Sequence, residues 1–184
     1  MIRRTLAVAL SLALVASLGA CGNKQSKTLR AETEGIYVDL GDLTYQVEIS
    51  RPLNAADIED REYLRGVSDQ LGPEDVWFAV FVRVQNESGK TQKPATQFDI
   101  SDTQENEFHP VSIDTKANDF AYNPVVLPDK GLLPNVDSIA AQNSIGGELL
   151  LFKMPRTALD NRPLELKIHD PNDSQSIGTV NLDV

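Results

Sequence analysis

The chain has 184 residues, 27 Asp and Glu against 17 Lys and Arg, a formal net charge of −10 and a single cysteine, Cys21. One thiol excludes an intrachain disulfide framework. The acid excess, with no cluster of Lys and Arg, excludes the phosphate-binding surface that a nucleic-acid partner requires.

The N-terminus comes first in chain order. Arg3-Arg4 precede an uncharged stretch, residues 6–20, made almost wholly of Leu, Ala and Val. As a helix this stretch reaches roughly 22 Å, whereas a bilayer core of about 30 Å wants about 20 apolar residues. It is too short to span comfortably and fits the apolar region of an export signal. Leu18, Gly19 and Ala20 stand directly before Cys21. Small residues let an extended backbone enter a signal peptidase, and a cysteine at the new N-terminus supplies the thiol that takes a diacylglycerol. The expectation is a cleaved lipoprotein signal over residues 1–20 and lipidation at Cys21. The alternatives are an uncleaved N-terminal anchor and a secreted protein whose cysteine stands there by chance. Each buried methylene adds about 0.8 kcal/mol, and two acyl chains hold firmly where one does not. Membrane lipid, joined covalently through Cys21, is thus an expected partner. Loss of Arg3 and Arg4 with the signal takes the net charge from −10 to −12, which disfavours a second, electrostatic contact with anionic lipid.

Residues 22–34 are polar and aperiodic. They read as a flexible tether, so that 21–34 link the anchor to a domain over 35–184; such a length spans roughly 20 Å root-mean-square. From residue 36 the period becomes two. Residues 36–40 form one predicted strand. After the turn Gly41-Asp42, Tyr45, Val47 and Ile49 alternate with Thr44, Gln46, Glu48 and Ser50 as a half-buried second strand. Residues 76–85 are the strongest strand, with Val76, Phe78, Val80, Val82 and Val84 on one face and Trp77, Ala79 and Phe81 on the other. Apolar residues on both faces mean a central strand covered on both sides. Residues 97–101 and 107–113 flank a polar loop at 102–106 and predict a hairpin. Residues 147–154, the alternation of Leu164, Leu166 and Ile168, and the final Val180, Leu182 and Val184 predict three more strands. Two stretches break the pattern. Residues 54–66, with Asn54 as N-cap, the acid Asp57 three residues on and Gly66 as stop, predict a helical turn or two. Residues 114–146, carrying Pro124, Pro128 and Pro134, predict a long connection. Short strands between turns, with little helix, predict an all-β sandwich.

The run Trp77-Phe78-Ala79-Val80-Phe81-Val82-Arg83-Val84-Gln85-Asn86, then a polar turn, then Phe98-Asp99-Ile100-Ser101-Asp102-Thr103, resembles the bacterial DUF4352-like extracellular domains. Leu149-Leu150-Leu151-Phe152-Lys153-Met154-Pro155 matches a later strand of that pattern. Arg51-Pro52-Leu53-Asn54, the run at 60–66 and Asn161-Arg162-Pro163-Leu164-Glu165-Leu166 look like a lipoprotein subgroup from Gram-positive bacteria. The resemblance covers roughly residues 36–184. It implies an immunoglobulin-like antiparallel β-sandwich at the cell envelope and supplies no catalytic residues. The helical insert and the 114–146 segment exceed the simple domain pattern.

Chemistry-bearing patterns are sparse. His109 and His169, the two histidines, are far apart in sequence. They read as two hydrogen-bonded surface residues, with a shared metal site as the alternative if folding brings them together. Asp170, Asn172 and Ser174 begin like a calcium loop, but Gln175 and Asn181 stand where that loop needs Gly and Glu, and a polar hairpin is expected. Asp102, Glu105 and Glu107 read as a solvated turn rather than a calcium site. No Gly-x-Ser-x-Gly elbow occurs, the lone thiol is committed to lipid, and Gly146-Gly147 lacks phosphate-loop spacing. Trp77 reads as core. Arg51, Asp60, Arg61, Arg65 and Arg162 read as ion pairs that fix loops, with an anion-recognition patch as the sharper alternative.

The sequence therefore predicts a lipid-anchored protein on the extracytoplasmic face of the cell membrane, with no catalytic residues, metal or cofactor. Its sandwich is read as a non-catalytic interaction or structural module for an envelope protein partner. Two alternatives stand beside it. A solute- or metal-binding lipoprotein serving a transporter or sensor predicts a pocket under residues 114–146, and an envelope hydrolase predicts two converging carboxylates.

Overall fold

The most apolar stretch of the sequence becomes the strand around which the rest is built. The computed structural model describes residues 27–183; the expected signal, with Leu18, Gly19, Ala20 and Cys21, lies outside the described residues. The elements in chain order are β1 (Arg30–Ala31), β2 (Tyr37–Leu40), β3 (Leu43–Leu53), α1 (Ile58–Tyr63), β4 (Asp75–Asn86), β5 (Phe98–Ser101), β6 (Glu107–Phe108), β7 (Leu132–Leu133), α2 (Ile139–Gln142), β8 (Glu148–Pro155), β9 (Leu164–His169) and β10 (Ile177–Leu182). A 3₁₀ turn, Arg156–Asp160, follows β8. One sheet has the order β1-β10-β9-β5-β6 and the other β2-β3-β4-β7, with β8 also on β4. β8 takes the first part of β4's free edge, from Asp75 to Val82, and β7 takes its end at Val84 and Gln85. Every pairing is antiparallel except β1 on β10. The fold is an all-β, immunoglobulin-like sandwich. Among the described residues no helix is long and apolar enough to cross a membrane.

β4 is apolar on both faces, and both faces are buried. Val76, Phe78, Val80, Val82 and Val84 point into the space between the sheets. Trp77, Ala79 and Phe81 point the other way and, with Leu149 and Leu151, form a second core. That outer core is roofed by α1 and by residues 111–120. Tyr63 of α1 is fully buried, its ring edge-on to Phe81 at 5.0 Å and to Phe120 at 4.9 Å. Each such ring removed from water is worth about 1.5–3 kcal/mol, so the helical insert and the long connection are required covers for an apolar sheet face.

Four details differ from the sequence expectation. The helix N-cap is Asp57, whose carboxylate accepts the Glu59 and Asp60 N–H groups, and not Asn54, which closes its own turn through Ala56 N–H. Ile49 is 37% exposed and Ser50 is buried, because a bulge between Val47 and Ile49 shifts the phase of β3. The first strand starts inside the expected tether: Arg30 and Ala31 pair with Thr179 and Val180, and Ala31 is buried, so docking begins before residue 35. The hairpin strand expected over 107–113 is β6, just Glu107–Phe108, since Pro110 lacks the N–H that would extend the ladder.

The 114–146 connection is not a free loop. Isolated bridges tie Gln92 to Leu127 and Ala121 to Leu149, and Ser138 caps α2 through Ala141 N–H. Two buried amides secure it. Asn118 Nδ2 donates to the carbonyls of Tyr63 and Arg65 at 2.8 and 2.9 Å. Asn86 Nδ2 lies 2.7, 2.9 and 2.8 Å from the carbonyls of Lys90, Leu127 and Pro128.

Candidate functional site

Pinned in this way, the connection shapes a half-open cavity against the start of β8. Its volume is about 320 Å³, and it is lined by Asn123, Val125, Val126, Leu127, Pro128, Gly131, Leu132, Leu133, Asn135, Ser138 and Glu148. The bend that shapes one wall needs a glycine at 131, where a Cβ would sit 2.8 Å from the Pro128 carbonyl oxygen. Val125 and Val126 stay 47% and 59% exposed beside it. Glu148, the first residue of β8, opposes Val82 of the central strand and is 8% exposed. Its Oε2 accepts the Asn123 N–H at 2.8 Å. That is its one side-chain hydrogen bond among the described residues. Burial pushes its carboxyl up to about 7, against the smaller pull of the Asn123 hydrogen bond.

A second cavity, of about 230 Å³, lies under the other half of the same segment, between residues 110–113, Ala121, Tyr122 and β8 residues 149–151. Tyr122 donates from its hydroxyl to the Ala95 carbonyl at 2.8 Å, and burial holds its phenol well above the ordinary value. The long segment thus carries both hollows.

The fold does bring His109 and His169 together, but on a carboxylate that the sequence reading overlooked. Asp99, in β5, lies between them: His109 Nδ1 is 2.5 Å from Oδ1 and His169 Nε2 is 2.6 Å from Oδ2. β5 pairs with β6 on one side and with β9 on the other, so Asp99 receives His109 from just past the end of β6 and His169 from the end of β9. Asp99 is buried, which raises its pKa, yet the two histidine hydrogen bonds outweigh burial and hold the carboxyl below its ordinary value. Each imidazole takes a different oxygen. Among the described residues no group of three or more His, Cys, Asp or Glu is arranged to hold a metal ion.

The other residues singled out in the sequence serve the scaffold. Asp102 is nearly buried in its turn; burial is opposed by hydrogen bonds from Asn106, Asn161 and Gln104, which together hold its carboxyl down to about 2. Glu105 occupies the left-handed turn position at φ 64, and Glu107 pairs with Lys167 at 3.0 Å, so these acids do not converge. Asp170 accepts the Asn172 N–H and closes the β9–β10 hairpin. Trp77 is in the outer core. Arg51 pairs with Asp60 at 2.5 Å, Arg65 with Glu62 at 2.9 Å, and Arg162 donates from Nε to the Leu159 carbonyl, so these arginines fix separate loops and make no joint patch.

Solved structures superpose on most of the chain. The yjhA protein from Bacillus subtilis does so with a TM-score of 0.51 and 10% identity, over 83% of this chain and 99% of that one. A "putative lipoprotein", ycdA, from Bacillus subtilis strain 168 does so with a TM-score of 0.50 and 9% identity, over 83% of this chain and 39% of that one. A beta-sandwich protein from Clostridium difficile 630 aligns with a TM-score of 0.46 and 10% identity, over 87% of this chain and 98% of that one. At these identities the likeness is one of fold. No protein-family model matches the sequence, and no curated protein matches it significantly. The comparisons thus show a β-sandwich fold, and no family model supports the resemblance to DUF4352-like domains.

Proposed function

We propose that this protein is an extracytoplasmic lipoprotein, tied to the cell membrane by a diacylglyceryl group on Cys21, whose sandwich is a non-catalytic binding module. The observation that carries the binding role is the 114–146 segment. It is pinned by buried amides, hollowed by two cavities and still leaves Val125, Val126, Val136 and Ile139 at 47–60% exposure. A segment that merely linked strands would not need to be long, rigid and apolar on its outside at once. The lipobox-like Leu18-Gly19-Ala20-Cys21, the resemblance to DUF4352-like envelope domains and the likeness to ycdA support the location. The solute-binding reading is favoured by one specific feature, the buried carboxyl of Glu148 in its cavity.

Crosslinking and pull-down from intact cells tests the proposal, with Cys21→Ser as the unanchored control and the pair Val126→Glu, Val136→Glu as the surface control. The expected result is an acylated protein in the membrane fraction, shed by Cys21→Ser, with captured partners lost in the double variant. An intact mass that retains residues 1–20 without acyl groups, or turnover abolished by a single carboxylate substitution, defeats it.

A further inference from the structure

The Glu148 cavity has a composition that selects its occupant. Its walls are chiefly aliphatic, its neutral polar groups are Asn123, Asn135 and Ser138, and among the described residues Glu148 is the one ionisable side chain that lines it. A buried carboxylate is expensive unless a cation or several donors meet it. Here the described residues supply a single backbone N–H, from Asn123. Among the described residues the neighbouring elements bring no cation to it. From β4 the residue opposite is Val82. From the 121–123 stretch the titratable group that faces it is the protonated phenol of Tyr122. In the turn after Pro128, the Asp129 carboxylate is engaged by the Gly89 N–H, and neither it nor Lys130 lines the cavity.

We infer that this cavity is a binding site for a small organic ammonium ion, its charged head on the Glu148 carboxylate and its alkyl part against Val125, Leu127 and Leu132. The inference rests on the binding-module reading and adds to it a ligand class. An anionic ligand would meet the carboxylate with like charge. A calcium ion wants six to eight oxygens, and aliphatic walls do not provide them. A neutral apolar ligand would leave the carboxyl without its partner. The volume, about 320 Å³, sits at the small end of the range for ligand pockets, roughly 300–1,000 Å³. This favours an amine of a few heavy atoms over a drug-sized molecule. The acidic domain also attracts cations at long range.

The test is an NMR and calorimetric titration of the full chain carrying Cys21→Ser, at a pH where Glu148 is ionised. The probes are methylammonium, n-butylammonium and tetramethylammonium, with n-butanol and butyrate as shape-matched controls. Binding of n-butylammonium is expected to move the Asn123 and Glu148 amide resonances. Butanol is expected to bind at least tenfold more weakly and butyrate not at all. Glu148→Gln, which keeps an acceptor for Asn123, should lose at least tenfold in affinity. Should that variant fail to fold, Val126→Lys, which puts an ammonium beside the cavity from an exposed position, should weaken binding by a similar factor. Equal affinity for butanol and butylammonium, no binding of any ammonium probe, or unchanged affinity in both variants would overturn the inference. Because anchoring is read separately from intact mass and membrane fractionation, failure of the ligand and failure of the lipoprotein reading are told apart.

Discussion

Replacing Glu148 by glutamine should stabilise this protein, and only above a certain pH. The carboxyl's ordinary value is 4.5, and burial raises it to about 7 in the folded chain. Between those two values the folded protein keeps a proton that the unfolded chain has released. The native state then binds more protons than the unfolded state, so stability falls as pH rises through this window. At about 1.4 kcal/mol per pH unit, the full effect is about 3 kcal/mol, reached once the folded carboxyl has ionised. A glutamine side chain has no proton to lose, and its amide oxygen can still accept the Asn123 N–H. The variant should therefore match the wild type at a pH near 4.5, gain on it steadily, and exceed it by about 3 kcal/mol above pH 7. Glu34 is also raised by burial, and this outweighs its hydrogen bonds from Ser50 and Asp183, but its contribution is common to both proteins and cancels in the difference. Urea unfolding at a series of pH values measures it, provided the denaturant slope is unchanged between the two proteins. A difference that stays constant across the window, or a variant that is the less stable protein in mild alkali, would refute the reasoning.

Other substitutions test the frame around the site. Tyr63→Ala removes a fully buried ring wedged edge-on between Phe81 and Phe120; urea unfolding should show a loss of about 3–5 kcal/mol, and hydrogen exchange should accelerate over residues 111–122. Asp57→Ala removes the observed helix cap and should cost about 1 kcal/mol, whereas Asn54→Ala should cost less, a contrast read by thermal unfolding. Asp99 is held below its ordinary 3.8 by its two histidine partners despite its burial. Its contribution is present above that unfolded value and is lost as pH falls through the lower, folded one. Asp99→Asn should therefore be less stable than wild type at neutral pH and should converge with it in strong acid, as an acid-unfolding series would show.

How far these features could be read beforehand depends on whether the deciding force is local. β4 was legible because its alternate residues are apolar on both faces, and that pattern needs no knowledge of neighbours. The outward turn of Ile49 was not, since a bulge shifts phase without leaving a local mark in Glu48-Ile49-Ser50. Asn54 and Asp57 are both competent caps, and the choice between them rests on where the chain leaves β3. The Asp99 cluster depends on register across three strands, so neither histidine's surroundings announce it. Glu148 falls within the strand predicted over 147–154 and carries no local mark of its own. It becomes a buried acid only because the 114–146 segment folds over it, and the packing of that proline-bearing stretch follows from the bonds of Asn86 to Leu127 and of Asn118 to Tyr63, pairs remote in sequence.

The position of the cavity relative to the proposed anchor follows from a chain of contacts. Six residue steps of at most about 3.6 Å keep Lys27 within about 22 Å of Cys21. The Lys27 ammonium donates to the Gly41 carbonyl in the β2–β3 turn. The next residue, Asp42, accepts from Gln92 Nε2 at 2.9 Å, and Gln92 exchanges backbone hydrogen bonds with Leu127, a wall of the cavity. If Cys21 carries the proposed lipid, the end of the sandwich nearest the anchor would be the end carrying the cavity wall, and the net charge of −12 left by loss of Arg3 and Arg4 would work against its collapse onto anionic headgroups. Glu74 and Glu87, both exposed, flank β4 and stand about 40 Å apart by strand rise. With the native thiol acylated, a dye on Glu87→Cys should transfer energy to a headgroup acceptor more efficiently than one on Glu74→Cys. The reverse order would mean that the cavity wall faces away from the membrane, and the path from Lys27 through Gly41 and Gln92 to Leu127 would then say nothing about how the domain is presented.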